Sequence, residues 1–302
     1  MSIDIVIVNW NSGDLLKKCV ESILASDSID AVSQILIVDN DSEDQSISML
    51  PEHKSIKLIL NQSNLGFAKA CNQGFLKCRS DYVLLLNPDT LLFKETLRGC
   101  IDYMDENPKT GIMGCQLLDE AGKITASCAR FPRAIDFVIH GTGLSRLFPK
   151  VFRPATLMTD WNHEQSRMVD QVMGAFMFMR SNVFEQIGYF DERYFVYFEE
   201  LDFSLRYKKA GGNIYFNTEV KAIHSGMGTT SKVKAFRLFL NVRSRLQYAR
   251  KNFSFPGFVG VYLSTFSFEI LSRFFLLVIS GRFSEIKDLF RGYGMLLIRK
   301  KI

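Results

Sequence analysis

Apolar residues in the first 115 positions of the chain occur in short continuous runs that alternate with segments of helical periodicity. The run at residues 3–8 predicts a strand, and the apolar positions that follow it recur at helical spacing behind Ser12, which we expect to cap that helix. Further strands are predicted at 34–38, 56–60 and 82–86, with helices at 67–77 and 94–106. Such alternation predicts an α/β fold, a doubly wound and mostly parallel sheet with helices on both faces.

Polar side chains end each of these predicted strands. The strand at 82–86 runs into Asn87, Pro88 and Asp89, which places an acid where the strand leaves the sheet. The other strand ends carry Asn9, Asn11, Asp39, Asn64 and Gly66. In open α/β sheets the carboxyl ends of the strands form the crevice in which ligands bind, so we expect these groups to converge.

The chemistry of these strand ends suits a nucleotide. An aspartate such as Asp39 can accept hydrogen bonds from a base or a ribose, and Asn64 with Gly66 opens a helix whose free N–H groups favour phosphate. Turn chemistry alone would explain each group taken singly. The chain lacks both GxGxxG and GxxxxGK[ST], so dinucleotide-dehydrogenase and P-loop functions find no support.

The second half of the chain offers acids among aromatic residues. A buried strand is predicted at 169–180, with Gly174 and Ala175 at a place of close approach, although ordinary core packing would also explain it. A helix is predicted at 182–187, and another ends near Ala210. At the start of the latter lie Glu199, Glu200 and Asp202, behind Asp191 and Glu192. A carboxylate surrounded by rings has its pKa raised by desolvation, as a general base requires, but acids in a first turn also stabilise the helix dipole.

His224 follows a short predicted strand at 214–216. A structural role is the simpler explanation for a lone histidine. If Asp89 lies nearby, however, one carboxylate, one imidazole and a diphosphate make a mixed site acceptable to Mn²⁺ or Mg²⁺. The other histidines receive no role.

Composition excludes several classes of protein. With 302 residues and 47% hydrophobic content the chain is not disordered. The N-terminal stretch has no basic leader and no cleavage site, so we expect no signal peptide and synthesis in the cytosol. The six cysteines show no CxxC spacing, which predicts small core residues and argues against a zinc ribbon.

The net charge of +5 conceals a basic tail. Residues 226–302 hold 14 lysines and arginines against three acids, and they are rich in phenylalanine. The uncharged run at 255–268 is shorter than the roughly 20 apolar residues of a membrane span. We expect interfacial or hairpin-like attachment to an anionic membrane surface. A soluble helical cap or a dimer interface is the alternative, and nucleic acid is not expected as a partner.

The ordered motifs resemble those of the inverting nucleotide-sugar glycosyltransferases of family two, with the GT-A fold. The chain is most similar to the bacterial rhamnosyltransferase branch that builds O-antigen and other cell-surface polysaccharides. The resemblance covers about residues 3–251, and its motifs in chain order are VNWNS, VDNDS, NLGFAKACNQG, LLLNPDT, GAFMFMR, YFEELDFSLR and HSGMGTTS.

This resemblance implies a catalytic domain at 1–225, with a nucleotide-sugar part at 1–115 and an acceptor part at 116–225. The basic, aromatic residues 226–302 are expected, from their composition, to form a helical, membrane-associating tail. It implies that Asp39 contacts the nucleoside, that Asp89 is the metal-binding acid of a DXD-type motif, that Glu200 is the catalytic base and that His224 approaches the metal or diphosphate. Asn9, Asn11, Asn64, Gly66 and Asn87 would line the donor side, and Gly174, Ala175, Glu199 and Asp202 the acceptor side. Two departures from the family pattern are Asn87 in the first DXD place and Glu where Asp is the usual base.

The implied reaction is an inverting transfer that depends on Mg²⁺ or Mn²⁺. The expected donor is dTDP-rhamnose and the expected acceptor is a saccharide on a polyprenyl diphosphate, at the cytoplasmic face of the inner membrane. Alternatives are a UDP-sugar donor (galactofuranose, glucose or N-acetylglucosamine) and a non-catalytic nucleotide-sugar binding protein.

Overall fold

A computed structural model describes residues 1–226 and 234–298, and its described chain divides into two compact units. Unit 1 comprises Met1–Ala129, Trp161–Glu192 and Glu199–Thr229, and unit 2 comprises Arg130–Asp160, Arg193–Phe198 and Thr230–Ile302. Unit 2 therefore joins the C-terminal helices to two internal segments that lie far away in sequence. The functional divisions at residues 115 and 225 stay a prediction.

The N-terminal part of unit 1 is a parallel sheet in the order β3-β2-β1-β4. Its strands are β1 (Ile3–Asn9), β2 (Val32–Asp39), β3 (Ile56–Leu60) and β4 (Tyr82–Leu86). The connecting helices are α1 (Asp14–Leu24), α2 (Phe67–Phe75) and, after β5 (Thr90–Leu92), α3 (Thr96–Glu106). Every residue of β1 and β4 is buried, as their continuous apolar runs predict for strands covered on both faces.

The sheet continues from β4 in the order β10-β6-β11-β5, and β8 pairs with β11. Here β10 is antiparallel to both its neighbours, and β11 is parallel to β6 but antiparallel to β5. These strands are β6 (Thr110–Leu118), β8 (Arg167–Met168), β10 (Phe176–Arg180) and β11 (Asn213–His224). A two-stranded sheet of β7 (Cys128–Ala129) and β9 (Gln171–Val172) stands apart, and the helices are α6 (Asn182–Ile187) and α7 (Glu199–Lys209). The predicted α/β class with a sheet flanked by helices is confirmed.

Three local predictions are wrong. The N-cap of α1 is Gly13, at a φ of 59°, and not Ser12. The predicted strand at 169–180 is two strands, because the chain passes from the two-stranded sheet at β9 to the large sheet at β10. His224 is the last residue of β11, which extends eight residues beyond the short strand predicted at 214–216.

Close packing fixes α2 against the sheet. A Cβ atom on Gly74 would lie 2.4 Å from Cγ1 of Val6 on β1, so only glycine permits this approach. All six cysteines are free thiols, and five of them are buried. The five buried cysteines are core residues, as predicted, and Cys78 is partly exposed.

Unit 2 is helical. Its helices are α4 (Ala134–Thr142), α5 (Leu144–Leu147), α8 (Lys234–Asn252), α9 (Phe255–Phe266), α10 (Phe268–Ile279) and α11 (Ile286–Leu297). α4 packs on α9, and α8 packs on α11. The helical character of the tail is confirmed, whereas the sequence did not predict that residues 130–160 belong to the same unit.

Two residues of unit 2 have a backbone conformation that large side chains rarely adopt. Tyr197 and Phe198 have φ values of 69° and 72°. The Ser244 hydroxyl donates a 2.7 Å hydrogen bond to the carbonyl of Val196, and the Phe198 ring lies against Tyr248 with centroids 5.6 Å apart. Contacts within unit 2 therefore hold this unusual backbone.

Candidate active site

Asn9 and Asp39 meet at the ends of two neighbouring strands. The register of β1 and β2 places them opposite each other, and Asn9 Nδ2 donates a 2.6 Å hydrogen bond to Asp39 Oδ1. Ser42 donates to the same carboxylate through its hydroxyl at 2.6 Å and its backbone N–H at 3.0 Å. Asn9 Nδ2 also lies 2.8 Å from the hydroxyl of Ser46. Asn9 is fully buried, so it orients the Asp39 carboxylate from the protein interior.

Asn11 orders the loop that follows β2. Its side-chain oxygen accepts a 2.7 Å hydrogen bond from the N–H of Glu43, and its own N–H donates to the hydroxyl of Ser42 at 2.9 Å. Asn11 adopts a φ of 52°, a conformation that asparagine tolerates better than most residues. Asn9 and Asn11, two of the predicted donor-side residues, thus both contact the loop that contains Ser42.

Asn64 and Gly66 form the entry to α2, as predicted. The side-chain oxygen of Asn64 accepts a 2.9 Å hydrogen bond from the N–H of Gly66, which has a φ of 86°. The carbonyl of Gly66 accepts a 3.2 Å hydrogen bond from Asn40. This turn leaves the first N–H groups of α2 without intrahelical partners, which is the geometry that favours an anion.

The antiparallel pairing of β5 with β11 brings Asp89 to His224. The register sets His224 opposite Thr90, and His224 Nε2 lies 3.3 Å from Asp89 Oδ1. The carbonyl of Asp89 also accepts a hydrogen bond from the N–H of Ser225 at 3.1 Å. Both side chains are largely shielded, with 6% of Asp89 and 14% of His224 exposed.

Ala175 anchors the turn that carries Asp89. Its carbonyl accepts hydrogen bonds from the N–H of Asn87 at 3.0 Å and from the hydroxyl of Thr90 at 3.3 Å. The thiol of Cys19 lies 3.6 Å from the carbonyl of Asn87. The predicted acceptor-side residue Ala175 therefore contacts the Asn-Pro-Asp turn through its backbone.

Glu200 receives a hydrogen bond from the residue next to Ala175. The N–H of Gly174 donates to the Glu200 carboxylate, and Glu200 also shares a hydrogen bond with Glu199. Its Oε2 atom is buried and has no hydrogen-bond partner. Burial raises the pKa of Glu200 above the ordinary glutamate value, against the opposing effect of these hydrogen bonds. Through Gly174 and Ala175, two consecutive residues connect this carboxylate to the Asp89 turn.

Asp202 has an ion-pair partner on its own helix. It is fully buried, and its carboxylate pairs with Arg206 Nε at 3.0 Å. Arg206 also donates to the carbonyl of Ile187 and, at 2.6 Å, to that of Tyr189. Asp202 thus helps to fix the chain after α6. The acceptor-side roles of Asp202 and of the buried Glu199 stay predictions.

Sequence reasoning missed Asn72, which connects α2 to the loop after α6. Its side-chain amide pairs with the backbone of Phe190, donating to the carbonyl at 2.9 Å and accepting from the N–H at 3.0 Å. It also donates to Glu192 at 3.0 Å. The sequence did offer one signal: Asn72 shares the helical spacing of Ala68 and Cys71, on the buried face of α2. A polar side chain on a buried face needs hydrogen-bond partners.

Asp89 and His224 together provide two donor atoms that fit a divalent metal. In residues 1–226 and 234–298, no group of three or more His, Cys, Asp or Glu side chains is placed to hold a metal ion. One carboxylate and one imidazole nevertheless supply oxygen and nitrogen donors that Mn²⁺ accepts. The pair fits a metal that takes its remaining ligands from a diphosphate and water, as Mg²⁺ also does at phosphate sites.

Comparison with protein families identifies the class. The family model described as "Glycosyl transferase family 2" matches residues 4–130, and "Glycosyl transferase family group 2" matches residues 82–283. The chain therefore belongs to the family-two glycosyltransferases.

Two curated relatives narrow this class to a branch. The chain is 26% identical over 261 residues to "Rhamnosyltransferase WbbL" of Escherichia coli K12, which covers 82% of this chain and 92% of the relative. It is 23% identical over 252 residues to "N-acetylglucosaminyl-diphospho-decaprenol L-rhamnosyltransferase" of Mycobacterium tuberculosis, with 80% and 81% covered. The protein is thus a glycosyltransferase related to the O-antigen rhamnosyltransferases, as its motifs predicted.

A solved structure supports the GT-A fold. The mannosyltransferase PcManGT of Pyrobaculum calidifontis, in complex with GDP-Man and Mn²⁺, aligns with 99% of this chain and 76% of its own at a TM-score of 0.53. The sequence identity is 14%, so this likeness shows the fold alone.

Proposed function

We propose that this glycosyltransferase is an inverting rhamnosyltransferase that uses dTDP-rhamnose as its donor. Its acceptor would be a saccharide carried on a polyprenyl diphosphate, in the synthesis of an O-antigen-type polysaccharide. The two relatives described above are named rhamnosyltransferases, and the name of one specifies an N-acetylglucosaminyl-diphospho-decaprenol acceptor. These relatives support the choice of sugar and of acceptor class.

The observation that carries the catalytic part of the proposal is the setting of Glu200. Its Oε2 atom is buried without a partner, while the N–H of Gly174 hydrogen-bonds the same carboxylate. An oxygen that lacks a partner can accept a proton from an incoming hydroxyl group without first losing a hydrogen bond. The pKa of Glu200 is raised towards neutral pH, and a general base is most effective when its pKa lies near the pH of the reaction.

In the proposed reaction Glu200 accepts the proton of the acceptor hydroxyl as that oxygen forms its bond to the anomeric carbon. The bond from this carbon to the donor's diphosphate breaks on the opposite face, so the configuration at the carbon is inverted. No covalent glycosyl-enzyme is needed, so a single carboxylate serves as base, unlike the carboxylate pair of glycoside hydrolases.

On the donor side, Asp39 would accept hydrogen bonds from the nucleoside. Asn9 and Ser42 hold its carboxylate in one orientation through hydrogen bonds of 2.6 Å each. The N–H groups at the start of α2 would bind a phosphate oxygen.

Asp89 and His224 would hold a divalent cation at the diphosphate. When bound, Mg²⁺ or Mn²⁺ would offset the negative charge that develops on the leaving diphosphate. We propose that the enzyme works at the cytoplasmic face of the inner membrane, where a polyprenyl-linked acceptor would be accessible.

A donor panel tests this proposal. Release of nucleoside diphosphate is measured with dTDP-rhamnose, UDP-galactofuranose, UDP-glucose and UDP-N-acetylglucosamine, each with a polyprenyl diphosphate-linked N-acetylglucosamine acceptor. The reactions contain Mn²⁺ or an excess of EDTA. We expect dTDP-rhamnose to be the only donor of this panel that releases nucleoside diphosphate, and only when metal and acceptor are present. The glycosidic product should have the anomeric configuration opposite to that of the donor.

Glu200→Gln is the matched negative control, because it preserves the shape of the side chain and removes its basicity. Metal-dependent turnover of a UDP-sugar in place of dTDP-rhamnose would show that the proposed donor is wrong and that the protein is still a glycosyltransferase. Nucleotide binding without turnover of any donor would contradict the catalytic proposal.

A further inference from the structure

Helix α10 of unit 2 exposes an apolar face to solvent. Phe268, Leu271 and Phe275 are each more than half exposed, and Val278 and Ile279 are 36% and 82% exposed. The spacing of these five residues places them on one side of an α-helix. We refer to these five residues as the α10 stripe.

The opposite side of α10 already has its packing partners. Ile270, Phe274 and Leu277 pack against a buried cluster that contains Val242 of α8 and Leu289 of α11. Unit 2 therefore does not need the α10 stripe for its own core. Monomeric soluble proteins rarely expose a contiguous apolar surface such as the α10 stripe unless it binds a protein, a ligand or a membrane.

A second exposed apolar segment belongs to the same unit. Leu147, Phe148 and Val151, at and after the end of α5, are 66%, 53% and 73% exposed. The preceding helix α4 is tied to α10, because the hydroxyl of Ser272 donates a 2.8 Å hydrogen bond to the carbonyl of Gly141. The apolar surface is thus not confined to the C-terminal tail.

The charge of unit 2 indicates which kind of partner would cover this surface. The sequence of unit 2 has 20 lysines and arginines against five acids, a formal charge of +15, whereas unit 1 carries −10. A second copy of unit 2 would have the same excess of positive charge and would be repelled at low ionic strength. A bilayer with anionic lipids offers both hydrocarbon and negative charge.

The mode of membrane binding follows from Glu269. Residues Phe255–Ile279 are long and apolar enough to cross a bilayer, with a mean hydropathy of 1.5. Glu269 lies in the middle of this stretch, and its carboxylate is paired with Arg245 of α8, with 2% and 4% of the two side chains exposed. A transmembrane position for the stretch would separate this ion pair or draw Arg245 into hydrocarbon with it, both of which are unfavourable.

The helical structure of the stretch also opposes a span. α9 ends at Phe266 and α10 begins at Phe268, with Ser267 between them at φ −114° and ψ −80°. Each helix has 12 residues, which corresponds to about 18 Å, against a hydrocarbon thickness of about 30 Å.

We propose that unit 2 is a monotopic membrane anchor that inserts the α10 stripe into the interfacial region of an anionic bilayer, with α10 parallel to the membrane plane. The exposed residues of the segment after α5 enter the same interface. This inference concerns attachment alone and holds for any sugar donor.

The first experiment measures sedimentation of the purified full-length protein with large unilamellar vesicles. The vesicles contain phosphatidylcholine alone or phosphatidylcholine with about one third phosphatidylglycerol. The wild type is expected to bind the anionic vesicles, to bind the zwitterionic ones more weakly, and to lose binding as salt screens the attraction. The double variant Leu271→Ser/Phe275→Ser should partition at least about 10-fold less because two apolar side chains no longer insert.

The matched control is Leu58→Ser/Leu60→Ser on β3 of unit 1, where the side chains are 45% and 62% exposed. This variant likewise replaces two exposed apolar side chains by serine and should bind vesicles like the wild type. Circular dichroism melting verifies that both variants are folded. Equal vesicle binding by the α10 stripe variant and the wild type would overturn the proposal. A solution dimer that dissociates in the stripe variant, without vesicle binding by the wild type, would assign the surface to a contact between copies instead.

The second experiment tests orientation. Phe255→Cys and Ser280→Cys, which lie at the two ends of the stretch and outside the α10 stripe, are each labelled with a polar fluorophore in a Cys78→Ser background, because the other five native cysteines are buried. Quencher added outside intact vesicles should reach both labels if the stretch lies in the membrane plane. Protection of one of the two labels would show that the stretch crosses the bilayer and would overturn the monotopic mode.

Discussion

Asp89 and His224 are separated by more than a hundred residues in sequence, yet His224 Nε2 lies 3.3 Å from Asp89 Oδ1. The juxtaposition depends on the antiparallel pairing of β5 with β11, which aligns His224 with Thr90. The pair supplies one oxygen and one nitrogen donor, and the proposed cation site rests on these two side chains.

Replacement of Asp89 should remove metal-dependent activity. Asp89→Asn preserves size but removes the charge that attracts a cation, so turnover is expected to fall at least about 100-fold. His224→Gln should have a smaller effect, about 10-fold, because the charged ligand is retained. Titration of Mn²⁺ in the presence of the nucleoside diphosphate measures binding directly. Unchanged Mn²⁺ affinity in Asp89→Asn would mean that the cation binds elsewhere.

Replacement of Glu200 should abolish transfer but not donor binding. Glu200→Gln is expected to lower kcat by about 10²- to 10⁴-fold, the usual contribution of a general base. Glu185→Gln, an exposed position on α6, serves as the control. Calorimetric titration with the donor should give the same affinity for both variants. Retention of wild-type kcat by Glu200→Gln would exclude this residue as the base.

The pH profile provides an independent test of Glu200. A base must be ionised to act, so activity should fall as the pH drops through the pKa of Glu200. Because burial raises that pKa, the acidic limb of kcat should lie at a higher pH than an ordinary glutamate would give. In Glu200→Gln the residual activity should lack this limb.

Asn9 should affect the donor step without affecting the base. Asn9→Ala removes the hydrogen bond that orients Asp39 and is expected to destabilise the fold by about 1 to 3 kcal/mol, because a buried carboxylate loses a partner. Since Asp39 would then be less well oriented, the KM for the donor should rise more than kcat falls. Steady-state kinetics with varied donor separate the two parameters. A change in kcat alone would contradict the assignment of Asn9 to the donor side.

Asn72 should be a positioning residue for the loop after α6. Asn72→Ala leaves the backbone N–H and carbonyl of Phe190 without partners, at an expected loss of about 1 to 3 kcal/mol in unfolding free energy. Asn72→Asp keeps the acceptor for the Phe190 N–H but loses the donor and adds a charge next to Glu192. Urea unfolding of both variants measures the effect. Equal stability of wild type and Asn72→Ala would show that the loop does not depend on this amide.

His140 makes the stability of unit 2 sensitive to acid. Burial lowers its pKa to about 4, with Arg146, Arg245 and Arg273 acting in the same direction and Glu269 opposing them. The unfolded chain binds a proton near pH 6.5 and the folded chain does not, so stability falls as the pH drops from about 6.5 towards 4.

We expect a loss of about 1 to 2 kcal/mol between pH 7 and pH 5 from this residue, because water still reaches part of the ring. Urea unfolding at the two pH values, compared between wild type and His140→Gln, measures this contribution. The variant should show a smaller loss. An identical loss in the two proteins would assign the acid sensitivity to other groups.

The N-terminal part of the fold could be predicted from the sequence because its signals are local. The bounds of β3 and β4 match their apolar runs, and the registers that align Asn9 with Asp39 follow from the parallel order of strands. Polar residues at the ends of such strands can only meet at one edge of the sheet. The fold class and the family could therefore be predicted from the sequence.

The remaining features depend on contacts between residues distant in sequence. Nothing local to Asn72 indicates that its partner is Phe190, and nothing local to Ala175 indicates that its carbonyl holds the Asn87 turn. The antiparallel insertion of β10 between β4 and β6 also has no local signal, since a buried strand has the same apolar pattern in either direction. The hydrogen bond from the N–H of Gly174 to the Glu200 carboxylate likewise has no local sequence signal.

The interleaved composition of unit 2 has a practical consequence for shortening the gene. A stop after residue 225 would delete α8 to α11 but leave Arg130–Asp160 and Arg193–Phe198 in the product. Phe137 and Phe198 would lose the rings of Phe253 and Tyr248 that cover them, and Phe198 immediately precedes Glu199. To obtain a more soluble enzyme, replacement of the outward-facing side chains of α10 is therefore preferable to truncation.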